Sequence, residues 1–246
     1  MFRTELPRLY ELKDCIADPS CSDAYFRDFD QNLASSAHTK DLYLRQERAL
    51  QGLDSTAWKH LKAEARPRLT VRDKRGRGWQ QLFDILNEAR AYNYLKSLGC
   101  SNLHFIPRSH EKTPDLEGSL ALEPVLCEVK TIGISEEEAA FRTGPMQARS
   151  IQTSVRPEFL NKLRAIIESA RQQLLAFDSG QTAVHFVYLN VSFDDFLAEC
   201  KEAYFKQIDD DLARMPVTGI KLVICNDYTV FYRPLKMHFA DVDNIG

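Results

Sequence analysis

Pro114-Asp115 is followed after twelve residues by Glu128-Val129-Lys130, and these residue types at this spacing can do chemistry. The stretch from Thr113 to Ile132, TPDLEGSLALEPVLCEVKTI, reads as two β-strands joined by a turn. Side chains alternate faces along a strand, so Glu128 and Lys130 point one way and Val125, Cys127 and Val129 the other. An Asp on the neighbouring strand can then meet Glu128 beside an ammonium. Two carboxylates placed together need either a proton or a cation between them. Hard oxygen ligands suit Mg²⁺, with Mn²⁺ as a substitute. Lys130 cannot bind such a metal, but it can hold a phosphate oxygen or a water. An exposed hairpin with Glu128 and Lys130 as solvated charges is the competing reading.

This order of residues resembles the PD-(D/E)XK nuclease superfamily, the restriction-endonuclease-like fold. The resemblance implies that Asp115 and Glu128 bind Mg²⁺ and that Lys130 orients or activates the attacking water. It implies a further ligand from a backbone carbonyl, that of Val129. A Glu on the helix before the hairpin often completes such pockets, and Glu88 in NEARAYNYL is similar to it. Some exonuclease-like branches carry Gln-x-x-x-Tyr on the following helix. Gln173-Leu174-Leu175-Ala176-Phe177 resembles that motif with Phe in place of Tyr. A core glutamine bonded to backbone explains Gln173 equally well.

The elements that must position these residues follow from periodicity. Trp79 to Leu98 is expected to be a helix, because Leu82, Ile85, Ala89, Tyr92 and Leu95 recur at helical spacing and Gly99 is a natural stop. Glu88 shares that face, where a carboxylate is costly without a partner. Asn102–Pro107 is the expected first strand, ahead of the hairpin. A second amphipathic helix is expected over Glu158–Phe177, with Leu163, Ile166, Ala170, Gln173 and Phe177 on its apolar face. Thr182–Val191 reads as a buried central strand, Phe193–Leu212 as a helix capped by Ser192, and Gly219–Cys225 with Thr229–Arg233 as a closing hairpin. The long connection from Gly133 to Pro157, part of it helical, carries Glu136, Glu137 and Glu138 and then Arg142, Arg149 and Arg156.

Upstream, helices are expected near Leu6–Lys13, Ser22–Ala34 and Lys40–Leu50, and Asp54-Ser55-Thr56 looks like an N-cap for Ala57–Ala65. The expected organisation is a helical N-terminal extension over residues 1–70 and a nuclease-like domain over 71–246. That makes an α/β protein whose core, restriction-endonuclease-like by resemblance, has a mixed central sheet flanked by helices.

One stretch is clearly basic: Lys62, Arg66, Arg68, Arg72, Lys74, Arg75 and Arg77 against Glu64 and Asp73. It reads either as a solvated loop or as a phosphate-contacting segment that does not read sequence, with Arg72, Lys74, Arg75 and Arg77 as the DNA contacts. The formal net charge of −3 gives no general argument for nucleic acid. Six cysteines without a CxxC pair read as reduced, packed thiols. No apolar run is long enough for a bilayer, and the charged N-terminus MFRTELPRLYELKD does not read as a signal peptide. A cytoplasmic protein is expected. Its expected partner is DNA, a homodimer being the other assembly allowed for, and no membrane. Scattered histidines form no zinc constellation, and no Gly-rich loop points to an NTPase.

Together these residues imply a Mg²⁺-dependent deoxyribonuclease, with an endonuclease as the expected mode. The competing expectations are a nuclease-like module that binds DNA or protein without cutting, and an RNA-directed nuclease.

Overall fold

The computed structural model describes residues 2–18, 20–74, 77–108, 112–144, 154–193, 200–226 and 229–232. The chain divides into two compact units, Met1–Asn93 and Tyr94–Gly246.

The first unit is helical. It contains α1 (Pro7–Lys13), α2 (Phe29–Ser35), α3 (Ala37–Gln51), α4 (Ser55–Ala65) and most of α5 (Gln80–Ser97). The first turn of α1 leaves backbone N–H groups without helical acceptors. The buried Glu47 carboxylate takes two of them, from Arg8 at 3.1 Å and Leu9 at 2.9 Å. Asp54 caps α4 as expected, accepting from the amides of Thr56 and Ala57. The same side chain accepts the Tyr92 hydroxyl at 2.7 Å, and Asn93 donates to the Ala49 carbonyl. These bonds from α5 to α3 and the α4 cap carry the first unit as far as Asn93. The helix expected near Ser22 begins only at Phe29, because residues 22–28 form turns tied down by the Tyr25 amide bonded to the Leu69 carbonyl.

In the second unit, six strands lie side by side in chain order. They are β1 (Ser101–Phe105), β2 (Leu116–Leu120), β3 (Glu123–Ile132), β4 (Val184–Val191), β5 (Lys221–Asn226) and β6 (Thr229–Tyr232). The pairs β1/β2, β2/β3 and β5/β6 are antiparallel, whereas β3/β4 and β4/β5 are parallel. Parallel neighbours need a crossover. Helix α7 (Pro157–Phe177) lies in the first, after the short α6 (Glu136–Thr143), and α8 (Lys201–Arg214) lies in the second. The expected α/β class with a mixed sheet and flanking helices is therefore observed.

One sheet face buries Leu126 and Ile132 of β3 with Val187, Leu189 and Val191 of β4 and Leu163, Ile167, Ala170 and Leu174 of α7. The apolar face of α7 is thus turned from the expected one. Ile166 and Gln173 are only half-buried, and Phe177 is exposed. Helix α8 starts at Lys201 with Cys200 at its N-cap, not after Ser192. Phe193, expected in that helix, is a buried ring packed on Phe159 and Tyr204. Residues 194–199 lie outside the described residues. Helix α6 opens on three glutamates, a favourable sign of charge for a helix N-terminus, and Glu137 pairs with Arg156 at 2.8 Å.

The turn between β2 and β3 is two residues, Ala121 and Leu122, with φ of 49° and 74°. That is the primed turn matching strand twist, normally built from Asn-Gly because side chains resist positive φ. Leu122 is 98% exposed, so its side chain contributes no burial. Replacing Ala121-Leu122 by Asn-Gly should stabilise the protein by about 1 kcal/mol. Urea unfolding would show a raised midpoint; an unchanged or lowered midpoint would mean that the turn carries no strain.

Candidate metal and catalytic centre at the end of the hairpin

The ladder between β2 and β3 ends at the pair Leu116 and Cys127, while β3 runs on to Ile132 beside β4. Among the described residues, 128–132 therefore have a strand on one edge only. Asp115, just before β2, covers the start of the open edge. Its amide donates to the Cys127 carbonyl at 3.0 Å, and its carboxylate accepts the Val129 amide at 2.7 Å. The N–H and C=O of one strand residue leave the same edge, so the Val129 carbonyl is directed to the Asp115 side as well.

Glu128 and Lys130 share one strand face, as expected, and α7 packs on that face. Glu128 is 1% exposed. Lys130 Nζ donates to Glu128 Oε1 in an ion pair. Gln173 Nε2, from α7, donates to Glu128 Oε2 at 2.8 Å and to the Thr113 carbonyl at 2.8 Å. Gln173 thus bonds both to the candidate site and to backbone, and it ties α7 to the segment that leads into Asp115. Thr113 was not identified as a site residue from the sequence, because a carbonyl that any residue type supplies leaves no signature.

The electrostatics follow from burial. Withdrawal from water above all, and then the Asp115 charge, push the Glu128 carboxyl up to about 7 against the opposing pull of Lys130 and Gln173. Burial above all, with the charges of Asp115 and Glu128, drives the Cys127 thiol well above its usual range. Cys127 is therefore an inert packed thiol.

The remaining expected residues belong to the first unit. Glu88 is buried on α5 within the first unit, on the same side of the helix as the buried Ile85 and Tyr92. In the basic stretch, Arg77 pairs with Asp73 at 3.1 Å and Lys62 with Glu11 at 2.7 Å. Part of its charge is thus neutralised internally. Arg72 and Lys74 are exposed, and Arg75 lies outside the described residues.

Among the described residues, no group of three or more His, Cys, Asp or Glu gathers as a metal centre. The carboxylates brought into each other's field are Asp115 and Glu128. Their donor chemistry fits a hard divalent cation: two carboxylates, one of them costly to ionise, beside an edge carbonyl. Comparison with family models, with curated proteins and with solved structures gave no match to this chain.

Proposed function

We propose that the chain is a metal-dependent nuclease of the PD-(D/E)XK type that hydrolyses DNA phosphodiester bonds. The observation that carries this reading is the buried Glu128 carboxylate, set beside Asp115 and gripped by Lys130 and Gln173. The order of an α-helix, an antiparallel three-strand meander, a crossover helix and a parallel fourth strand supports it further.

Asp115 and Glu128 would hold Mg²⁺ or Mn²⁺, with the Val129 carbonyl at the same strand edge. A cation held there supplies Lewis acidity toward water and neutralises charge on phosphate oxygens. Gln173 keeps Glu128 in one orientation by holding one of its oxygens and a backbone carbonyl at once. Lys130, one third exposed, can release Glu128 and turn its ammonium to a phosphate oxygen or to the attacking water. Burial of Glu128 keeps bulk water from screening these charges.

A second reading has one observation in its favour. Both Glu128 oxygens and one Asp115 oxygen already have protein partners, so the network is also consistent with a module that binds DNA or a protein without cutting. RNA would use the same pocket.

Asp115→Asn separates these readings, because the amide oxygen still accepts from Val129 while the charge is gone. Calorimetry should detect Mn²⁺ binding to the wild type and its loss in Asp115→Asn. Wild-type protein should cut plasmid, linear or single-stranded DNA with Mg²⁺ and not with EDTA. Equal metal binding by both proteins would remove Asp115 from the site. Absence of cleavage on DNA with either metal would favour the binding module, and cleavage of RNA alone would reassign the substrate.

A further inference from the structure

Outside the candidate centre, the first unit carries an aromatic surface edged with cations. Trp79 sits just before α5 and Phe83 on its first turn, and both rings meet Tyr25 edge-on, at 5.3 Å and 5.5 Å. The indole is pinned by its N–H, which donates to the Asp23 carbonyl at 2.7 Å. Tyr25 in turn meets the buried Phe26 at 4.8 Å, so the group is anchored on the core. Its outer members are partly exposed: Phe83 is 36% exposed and Trp79 is half-buried. Arg72 lies with its guanidinium 4.7 Å from the centre of the Trp79 ring, and the exposed Lys74 follows. From Arg66 to Arg77 the segment has five arginines and one lysine against the single acid Asp73.

We propose that Trp79 and Phe83 form a stacking platform for an unpaired nucleic-acid strand, with Arg72 and Lys74 meeting its phosphates. Partly exposed rings and the guanidinium plane over Trp79 can both accept a base by stacking, and the surrounding positive charge selects an anionic partner. In a duplex the base faces are already stacked on one another, so the rings would gain nothing from it. Phosphates alone would be served by the cations without any aromatic surface. The proposal rests on the nuclease reading and gives it a preferred substrate form, DNA with unpaired bases.

The test measures binding and cleavage separately. In EDTA, a single-stranded oligodeoxythymidine should quench the tryptophan fluorescence of the full chain, and a duplex of equal length should bind more weakly. Trp58 is 7% exposed with its N–H bonded to Glu11, so the quench should vanish in Trp79→Phe while affinity for the strand is kept. Trp79→Ala and Phe83→Ala should each weaken single-strand binding by about tenfold, with no change in the slope of log affinity against log salt. Arg72→Gln should lower that slope by about 0.7. Unchanged affinity in Phe83→Ala and Trp79→Ala, or duplex bound as tightly as single strand, would overturn the platform. If Trp79→Ala does not fold by circular dichroism, the Trp79→Phe and Phe83→Ala results decide. Cleavage by wild type with binding insensitive to these substitutions would remove the platform and leave the nuclease reading. Stacking without cleavage under Mg²⁺ or Mn²⁺ would do the reverse.

Discussion

Lys130→Met should slow DNA cleavage by about 10² or more, the scale seen when a preorganised charge-stabilising donor is lost, while DNA and Mg²⁺ stay bound close to the wild-type level. An ammonium cannot ligate a metal, so in the proposed reaction its contribution would fall in the transition state. An interaction made mainly there lowers turnover and spares ground-state binding. Met keeps most of the stem, and Lys130 is one third exposed, so folding should survive. The structure adds a condition to the measurement. Lys130 is one of the groups holding the Glu128 carboxyl down, so its removal lets that carboxyl keep a proton to higher pH. The comparison must therefore be made well above the wild-type Glu128 value of about 7. A rate defect that disappears as pH rises would assign Lys130 to keeping Glu128 ionised. A defect that persists would assign it to the reacting phosphate or water. Cleavage at the wild-type rate throughout would make Lys130 a structural counter-ion.

Glu128→Gln should abolish cleavage and yet stabilise the metal-free protein at alkaline pH. The sign follows from linkage. An unfolded Glu titrates near about 4.3, and the folded Glu128 near about 7, so between these values the folded state binds the extra proton. Stability that this group lends the fold is present below the lower value and is lost as pH rises through the upper one. Above pH 7 the wild type carries a buried carboxylate charge that Gln does not. The displacement corresponds to roughly 2–4 kcal/mol, and Lys130, left without its partner, can turn to solvent. In urea unfolding with EDTA, Glu128→Gln should be the more stable protein at about pH 8 and should approach the wild type near about pH 4. Saturating Mn²⁺ should raise the wild-type midpoint and leave that of the variant where it was. A variant less stable than wild type at alkaline pH would show that the bonds from Lys130 and Gln173 outweigh the cost of burying the charge.

The two effects together describe a familiar trade. A site that must receive a cation keeps negative charge in a place where the empty fold would be better off without it. On the proposed reading that cost falls here on Glu128, and the groups that reduce it, Lys130 and Gln173, are those proposed to act in the reaction and its positioning.

Much of this was legible in the residues themselves. The buried stripe of α5, Leu82, Ile85, Ala89, Tyr92 and Leu95, was readable because a long amphipathic helix has one apolar face whatever it packs on. The hairpin was readable too, and strand alternation alone put Glu128 and Lys130 on one face. Helix α7 shows where that logic stops. Its apolar residues allow two adjacent phases, and contact with β3 and β4 selected Ile167 and Leu174 over Ile166 and Phe177. Gln173 consequently sits at the border of the buried face, from which its amide reaches both Glu128 and Thr113. No local pattern encodes a bond across 45 residues of chain. Nor does the spacing of Asp115 and Glu128 say that Asp115 will hold the Val129 amide. That bond exists because β3 outruns β2 and leaves a strand edge without its ladder partner, and strand lengths in a sheet are decided by the sheet. Strand alternation alone put Glu128 and Lys130 on one face; the fold set the phase of α7 and so which side chains meet, because burial and hydrogen bonding act between segments the chain keeps far apart.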